Sequence, residues 1–62
     1  MIYLVSIDDG GHNYSTEFDT LEEARADYKE TIEFYSQPDA SPIESVVLED
    51  EDYEIIEEHS FL

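Results

Sequence analysis

Carboxylates are the side chains through which this sequence could do chemistry, because eighteen Asp and Glu residues stand against only two Lys and Arg residues. The formal net charge is −16. Oxygen-rich runs suit calcium or magnesium, and the chain contains two of them, residues 8–11 and 49–52. Neither run has the spacing of an EF-hand loop, in which alternate acids precede a glycine and a distant glutamate. We therefore expect weak, unspecific cation binding and no dedicated metal site.

The sequence offers little for catalysis. It contains no cysteine, and its two histidines lie beside a glycine turn (His12) and near the C-terminus (His59). A serine nucleophile would need a base and a pocket, which a core of this size can hardly supply. Acid–base catalysis by carboxylates requires one that is perturbed by burial, and we expect nearly all of them to be solvated. We predict that the protein is not an enzyme and that it has neither catalytic residues nor a cofactor.

The excess of negative charge is larger than solubility requires. A small domain stays soluble with a net charge of about 2–8 units, and self-repulsion at −16 destabilises the compact state. No basic residue follows Lys29. Intrinsic disorder is disfavoured, because apolar residues are plentiful and periodic and the chain contains five Tyr and three Phe residues. A halophilic surface stays open as an alternative, but the charge favours a role in recognition.

One helix is predicted from Thr20 to Ser36, and its two sides differ. An apolar stripe with the helical period has to be covered by another element. The stripe comprises Leu21, Ala24, Tyr28, Ile32 and Tyr35. The acidic side has to stay in water, because burial of an unpaired carboxylate is too unfavourable. The first turn has the spacing of a capping box, and Pro38 prevents continuation. We expect Arg25 and Lys29 to relieve repulsion along the helix itself.

Four strands complete the predicted fold, two before the helix and two after it. The first strand is apolar on both faces, so we expect it in the interior of a sheet. A glycine-rich turn follows it, and the four acids after the third strand are predicted to form a wide exposed bend. The predicted strands are Met1–Ile7, His12–Phe18, Ile43–Leu48 and Tyr53–Glu58. This order predicts an α+β domain, ββαββ, in which one helix packs on one face of a four-stranded antiparallel sheet with strand order 2-1-3-4.

Length and composition indicate a single compact domain, residues 1–62, in a reducing compartment. A chain of 62 residues builds one small core, and the lack of cysteine excludes disulfides. No apolar run is long enough for a membrane span, and no basic segment precedes apolar residues as in a signal peptide. The chain enters strand-like sequence directly from Met1, which is typical of a complete small gene product. We expect a cytoplasmic monomer or homodimer that contacts no membrane.

The spacing of the acids favours mimicry of DNA. Duplex DNA carries one negative charge per about 1.7 Å of axis. A helix rises about 1.5 Å per residue, so the outward acids of the predicted helix span roughly 16 Å. We predict that these acids and those of the C-terminal hairpin occupy the basic groove of a DNA-binding protein, whereas nucleic acid itself is repelled. The predicted partner-binding residues of these two segments are Glu22, Glu23, Asp27, Glu30, Glu33, Glu49, Asp50, Glu51, Asp52, Glu54, Glu57 and Glu58.

In size, charge and architecture the whole chain resembles phage-encoded DNA-mimic inhibitors, which are short, acidic, cysteine-free proteins that block host defence or repair enzymes. The segment Ile43–Leu48 is similar to the acidic–serine–aliphatic edge strand of the phage uracil-DNA glycosylase inhibitors. That resemblance implies that Glu44 and Ser45 lie on the DNA-binding loops of the enzyme, in the host bacterial cytoplasm. The chain has no counterpart of that family's N-terminal helical region. Small anti-CRISPR proteins and inhibitors of restriction or recombination nucleases are at least as similar.

Two other classes of function stay open at this point. In one, the protein is an acidic adaptor or assembly protein that binds a basic protein partner without DNA competition. In the other, it is a housekeeping domain whose acidity serves solubility alone. Displacement of a basic partner by duplex DNA distinguishes mimicry from both, because only a mimic shares its binding site with DNA.

Overall fold

The computed structural model describes the whole chain from Met1 to Leu62, and its five elements follow the predicted order. The strands are β1 (Tyr3–Asp8), β2 (Asn13–Phe18), β3 (Ser45–Asp50) and β4 (Ile55–Ser60), and the helix is α1 (Leu21–Tyr35). The strands form one antiparallel sheet in the order β2-β1-β3-β4, and α1 packs on one face of it. The predicted α+β class, the element order and the strand order are confirmed.

The core lies between α1 and the two central strands. Val5 of β1 pairs with Leu48 of β3, and both side chains are buried beneath the helix. The complete core consists of Val5, Ala24, Tyr28, Ile43, Val46 and Leu48. The other members of the apolar stripe predicted for the helix pack against this cluster, which confirms the stripe. A core of six residues is small, so each of them contributes a large share of the stability.

Side chains cap both ends of α1. The Thr20 hydroxyl accepts a hydrogen bond from the Glu23 N–H at 3.1 Å and donates one to the Glu23 carboxylate at 3.0 Å. The first of these bonds satisfies a backbone donor that has no partner within the helix. At the other end, the Ser36 hydroxyl donates to the Ile32 carbonyl oxygen at 2.6 Å. Both Asp19 and Thr20 can serve as N-cap by sequence, and the structure has Thr20 in that role; the predicted end of the helix near Ser36 is confirmed.

Replacement of Thr20 by alanine removes the N-terminal cap and is expected to lower the free energy of unfolding by about 1 kcal/mol. Thr20→Ser keeps a hydroxyl at the same place, so this variant is the matched control and should lose less. Urea denaturation of both variants and the wild type measures the difference. Equal midpoints for the alanine and serine variants would show that the hydroxyl contributes nothing to stability.

The acidic run after β3 does not form the wide bend that its composition predicts. Glu49 and Asp50 are partly buried residues of β3, and the chain reverses directly after them. The Asp50 carboxylate accepts hydrogen bonds from the Asp52 N–H at 2.9 Å and the Glu54 N–H at 3.1 Å, and Tyr53 adopts a φ of 65°. Tyr53 thus adopts the left-handed conformation for which tight turns commonly use glycine, and the Asp50 carboxylate holds the turn through its two hydrogen bonds. This tight turn places β3 and β4 two residues further along the chain than predicted.

Tyr28 brings an ionisable group into the core. Burial, followed by the nearby carboxylates of Glu57 and Glu58, raises the pKa of its phenol above the ordinary value of 10.0. A raised folded-state pKa means that the neutral phenol stabilises the fold fully below pH ~10, and that this contribution is lost as the pH rises through the folded value. We expect the thermal unfolding midpoint to fall above pH ~10, and to fall less steeply in Tyr28→Phe. Parallel pH profiles for the two proteins would contradict this assignment.

Candidate functional site

Few of the carboxylates have a cationic partner. Arg25 binds Glu57 with 2.9 Å between Nε and Oε2, and the N-terminal amine lies 3.9 Å from the Glu51 carboxylate. His12 lies 3.6 Å from Asp9, and it adds a cation only when it is protonated. Three of the eighteen acidic side chains thus have a cationic neighbour, which leaves fifteen without one. The charge of those fifteen is therefore not neutralised by an ion pair within the fold.

Five of the predicted binding residues line the solvent side of α1, and we call them the helix acidic face. They are Glu22, Glu23, Asp27, Glu30 and Glu33, of which Asp27 alone is partly buried. With about 1.5 Å of rise per residue, this face is roughly 16 Å long. The opposite side of the helix is anchored by the buried residues Ala24 and Tyr28, so the charges are displayed on a fixed frame. Lys29 lies among them and forms no ion pair.

The β3–β4 turn places a second set of acids at the end of the sheet where α1 begins. Tyr3, the first residue of β1, pairs with Phe18 on one side and with Asp50 on the other. The helix begins shortly after Phe18, and the turn begins directly after Asp50. The acidic residues of the turn, all exposed, are Glu51, Asp52 and Glu54. These acids and the first turn of the helix acidic face therefore lie at the same end of the domain.

Glu44 and Ser45 lie at the opposite end of the sheet. Ser45 pairs with Asp8, the last residue of β1, and the Glu44 N–H donates to the Asp8 carbonyl oxygen at 2.7 Å. The strand that Ser45 begins has β1 on one side and β4 on the other. This strand is therefore interior, as the predicted strand order requires, and it differs in this respect from the edge strand of the glycosylase inhibitors that it resembles. Val46 and Leu48 are fully buried in the core and need the central position. The structure does not bring this pair together with the acids of the β3–β4 turn.

The four remaining predicted residues lie on the strands; they are Glu49, Asp50, Glu57 and Glu58. The outward position expected for Glu57 is wrong, because this residue is partly buried and binds Arg25 of the helix. Arg25 consequently joins α1 to β4, instead of relieving repulsion along the helix. Glu49 lies on the sheet face away from the helix, where it accepts a hydrogen bond from the Ser6 hydroxyl at 3.0 Å. Glu58 pairs with Val47 and therefore lies on that same face of the sheet, where it is exposed.

Ser6 is polar but buried, and it is not among the residues for which the sequence predicts a role. Its hydroxyl lies 3.1 Å from the Ser15 hydroxyl of β2, in addition to its bond to Glu49 of β3. It thereby links three neighbouring strands on the face without a helix. The only sequence signal for this role is a serine within an otherwise apolar strand, since its partners are distant along the chain.

Two open depressions flank α1. One, of about 480 Å³, lies on the side of the helix that carries Arg25 and Lys29. The other, of about 310 Å³, lies between the helix and β2.

No group of three or more His, Cys, Asp or Glu side chains is arranged to hold a metal ion. None of the chain's helical structure is both long and apolar enough to span a membrane.

No protein family model matches the sequence, and no curated protein or solved structure shows significant similarity to it. Function therefore has to be inferred from the charge and geometry of the surface.

The unpaired carboxylates predict that salt stabilises the protein. Raising sodium chloride from about 0.01 M to about 0.2 M shortens the Debye length from about 30 Å to under about 10 Å, so repulsion across the domain is screened. We expect the thermal unfolding midpoint, followed by circular dichroism, to rise over this range. Chloride is the suitable anion, because sulfate stabilises proteins by exclusion from their surface. A flat or falling midpoint would mean that the charges are compensated within the fold.

Proposed function

We propose that the protein is a DNA-mimic inhibitor that occupies the basic DNA-binding groove of a host defence or repair enzyme. The observation that carries the proposal is the helix acidic face. Its five carboxylates lie on one helix that is anchored to the sheet, and none of them has a cationic partner. The enzyme classes that bind DNA in such grooves, and that we propose as targets, are CRISPR effectors, restriction or recombination nucleases and uracil-DNA glycosylases. No binding of nucleic acid is expected, because every long-range electrostatic contribution is repulsive.

A folded display of carboxylates supports inhibition better than a disordered acidic tail does. Ordering a flexible segment on binding lowers affinity, whereas side chains on a packed helix have lost much of that freedom already. The length of the helix acidic face, roughly 16 Å, corresponds to several phosphates of one DNA strand. Opposite charge on the enzyme accelerates association, so we expect fast and salt-sensitive binding.

The proposal assigns no contact to the segment Ile43–Leu48. Its strand lies in the interior of the sheet, and its core residues are not accessible to a partner. The acids that take its place are the helix acidic face together with Glu51, Asp52 and Glu54 of the β3–β4 turn. The turn acids lie at the end of the domain where the helix acidic face begins, so we propose that a single groove contacts both.

Competition with duplex DNA tests the proposal. The protein, immobilised through a C-terminal tag, is exposed to a bacterial lysate, and bound proteins are eluted with duplex DNA of about 20 base pairs, a length that spans a typical binding groove. The purified partner is then titrated with labelled DNA in the presence of increasing amounts of the protein. Mutual exclusion is expected. If the partner binds both ligands at once with unchanged affinities, the protein is an acidic adaptor and mimicry is excluded.

A further inference from the structure

The two edges of the sheet differ in how well they are protected from pairing with another chain. The β4 edge carries an irregularity opposite Leu48 and Glu49 and two adjacent glutamates, which are features that discourage strand addition. The β2 edge has six consecutive pairs with β1 and no bulge. Its sequence contains no proline and no lysine, and five of its six residues are exposed. An edge of this kind is a template for an additional strand.

The hydrogen-bond pattern shows which backbone groups of β2 are free. The Asp9 N–H donates to the His12 carbonyl oxygen at 3.1 Å, so this pair is a hydrogen-bonded pair of the hairpin. Hydrogen-bonded and non-hydrogen-bonded pairs alternate along antiparallel strands. The backbone groups of Thr16 therefore bond to β1. Those of Ser15 and Glu17 point away from the sheet, where an added strand would find them.

The depression of about 310 Å³ runs along this edge, between β2 and α1. Thr16 lines it from the strand, and Asp27, Glu30 and Phe34 line it from the helix. Neither carboxylate has a cationic partner, and the Phe34 side chain is 56% exposed. A Lys or Arg side chain entering here would place its aliphatic stem on the ring and its cation beside the carboxylates. An acidic side chain would be repelled.

We propose that the β2 edge binds an extended basic segment of a partner protein by strand addition. Alternate side chains of an added strand point to the same face, so every second residue of this segment is a Lys or Arg that enters the depression. A second copy of this chain is a poor occupant, because each copy carries a net charge of −16. The inference goes beyond the proposed function, since it holds whether or not the partner binds DNA.

The test uses a fluorescein-labelled peptide of about eight residues in which Lys alternates with Thr, a length that matches one strand. The probe's affinity is measured by fluorescence anisotropy for the wild type and for two variants of one residue. Ser15→Pro removes an outward N–H, and proline is tolerated where the N–H of an edge strand faces solvent. Ser15→Ala is the matched control. Like the proline variant it loses the hydroxyl that contacts Ser6, but it keeps the backbone N–H. We expect Ser15→Pro to weaken binding at least about tenfold and Ser15→Ala less than about twofold.

Further measurements separate strand addition from unspecific attraction. The same peptide methylated on its backbone nitrogens keeps its charge but cannot pair, so it should bind at least about tenfold more weakly. The Ser15 and Glu17 amides should exchange more slowly with solvent in the complex, as seen by NMR. Glu30→Gln removes one negative charge from the depression between β2 and α1, so this variant should bind the peptide about threefold more weakly. Equal affinity of the two peptides or of the two Ser15 variants would overturn the proposal. A stable dimer of the free protein through β2 in sedimentation analysis would also overturn it, since the occupant would then be a second copy.

Discussion

Leu48→Ala is expected to lower the free energy of unfolding by about 2–5 kcal/mol, the range observed for large-to-small changes at fully buried positions. Leu48 is 0% exposed and lies on a central strand, directly beneath the helix. The surroundings cannot collapse into the vacated space without moving β1 or α1, because its partner Val5 is itself in the core. Small domains have total stabilities of only about 5 kcal/mol or little more. The variant should therefore be largely unfolded at low salt.

Chemical denaturation followed by circular dichroism measures this loss, at a salt concentration where the wild type is fully folded. Leu62→Ala is the matched control, because the same chemical change is made at a side chain that is 90% exposed. It should shift the free energy of unfolding by less than about 0.5 kcal/mol. A small effect of Leu48→Ala, comparable with that of the control, would mean that β3 is not the central strand of the core.

The fold was predictable because its main signals are local. The apolar stripe on the helix, its Thr20 cap and the glycine turn after β1 each depend on residues a few positions apart. The apolar character of both faces of β1 placed that strand in the interior, and short connections then favoured one strand order. These signals agree with one another, which is the condition under which a sequence specifies a single structure.

The details that could not be predicted depend on residues far apart in the chain. Arg25 meets Glu57 across thirty-two positions, so a helical wheel assigns its charge to the wrong neighbours. The turn after Asp50 is tight although Tyr53 and not glycine has the positive φ, and the Asp50 carboxylate that holds this turn is not distinguished by composition from its acidic neighbours. Ser6 is buried only because Glu49 and another serine supply partners from adjacent strands.

The candidate site was harder to predict than the fold, because nearly every segment of the chain carries acids. Composition shows that charge is abundant, but only the topology decides which acids are neighbours. It places Glu51 and Asp52 at the end where the helix begins, and it separates both from Glu44. The helical periodicity of the acids was therefore enough to predict the helix acidic face. Which other acids lie near that face could be known only from the register of the strands, which places the β3–β4 turn at the end where the helix begins.

Reversal of two charges on the helix acidic face should abolish most of the partner binding. Glu30→Lys combined with Glu33→Lys changes two exposed side chains in the second half of α1. Glu23 is left unchanged, because its backbone and its carboxylate both bond to the Thr20 cap. A lysine near the C-terminal end of a helix is favoured by the helix dipole. The fold should therefore be kept, with an unfolding midpoint equal to or above that of the wild type, since self-repulsion is reduced.

The matched control reverses Asp39 and Glu58, two exposed residues that the proposal leaves outside the contact surface. Each reversal adds two positive units to −16, so both double variants carry −12 and differ only in where the charge lies. We expect the helix variant to lose at least about thirtyfold in affinity for the captured partner, and the control variant less than about fivefold, because charges outside the contact surface mainly affect association rates. The affinity of each is measured by titration at fixed ionic strength, with duplex DNA as the competitor. Equal losses in the two variants would show that the partner responds to net charge alone, and a specific mimic of the DNA backbone would then be excluded.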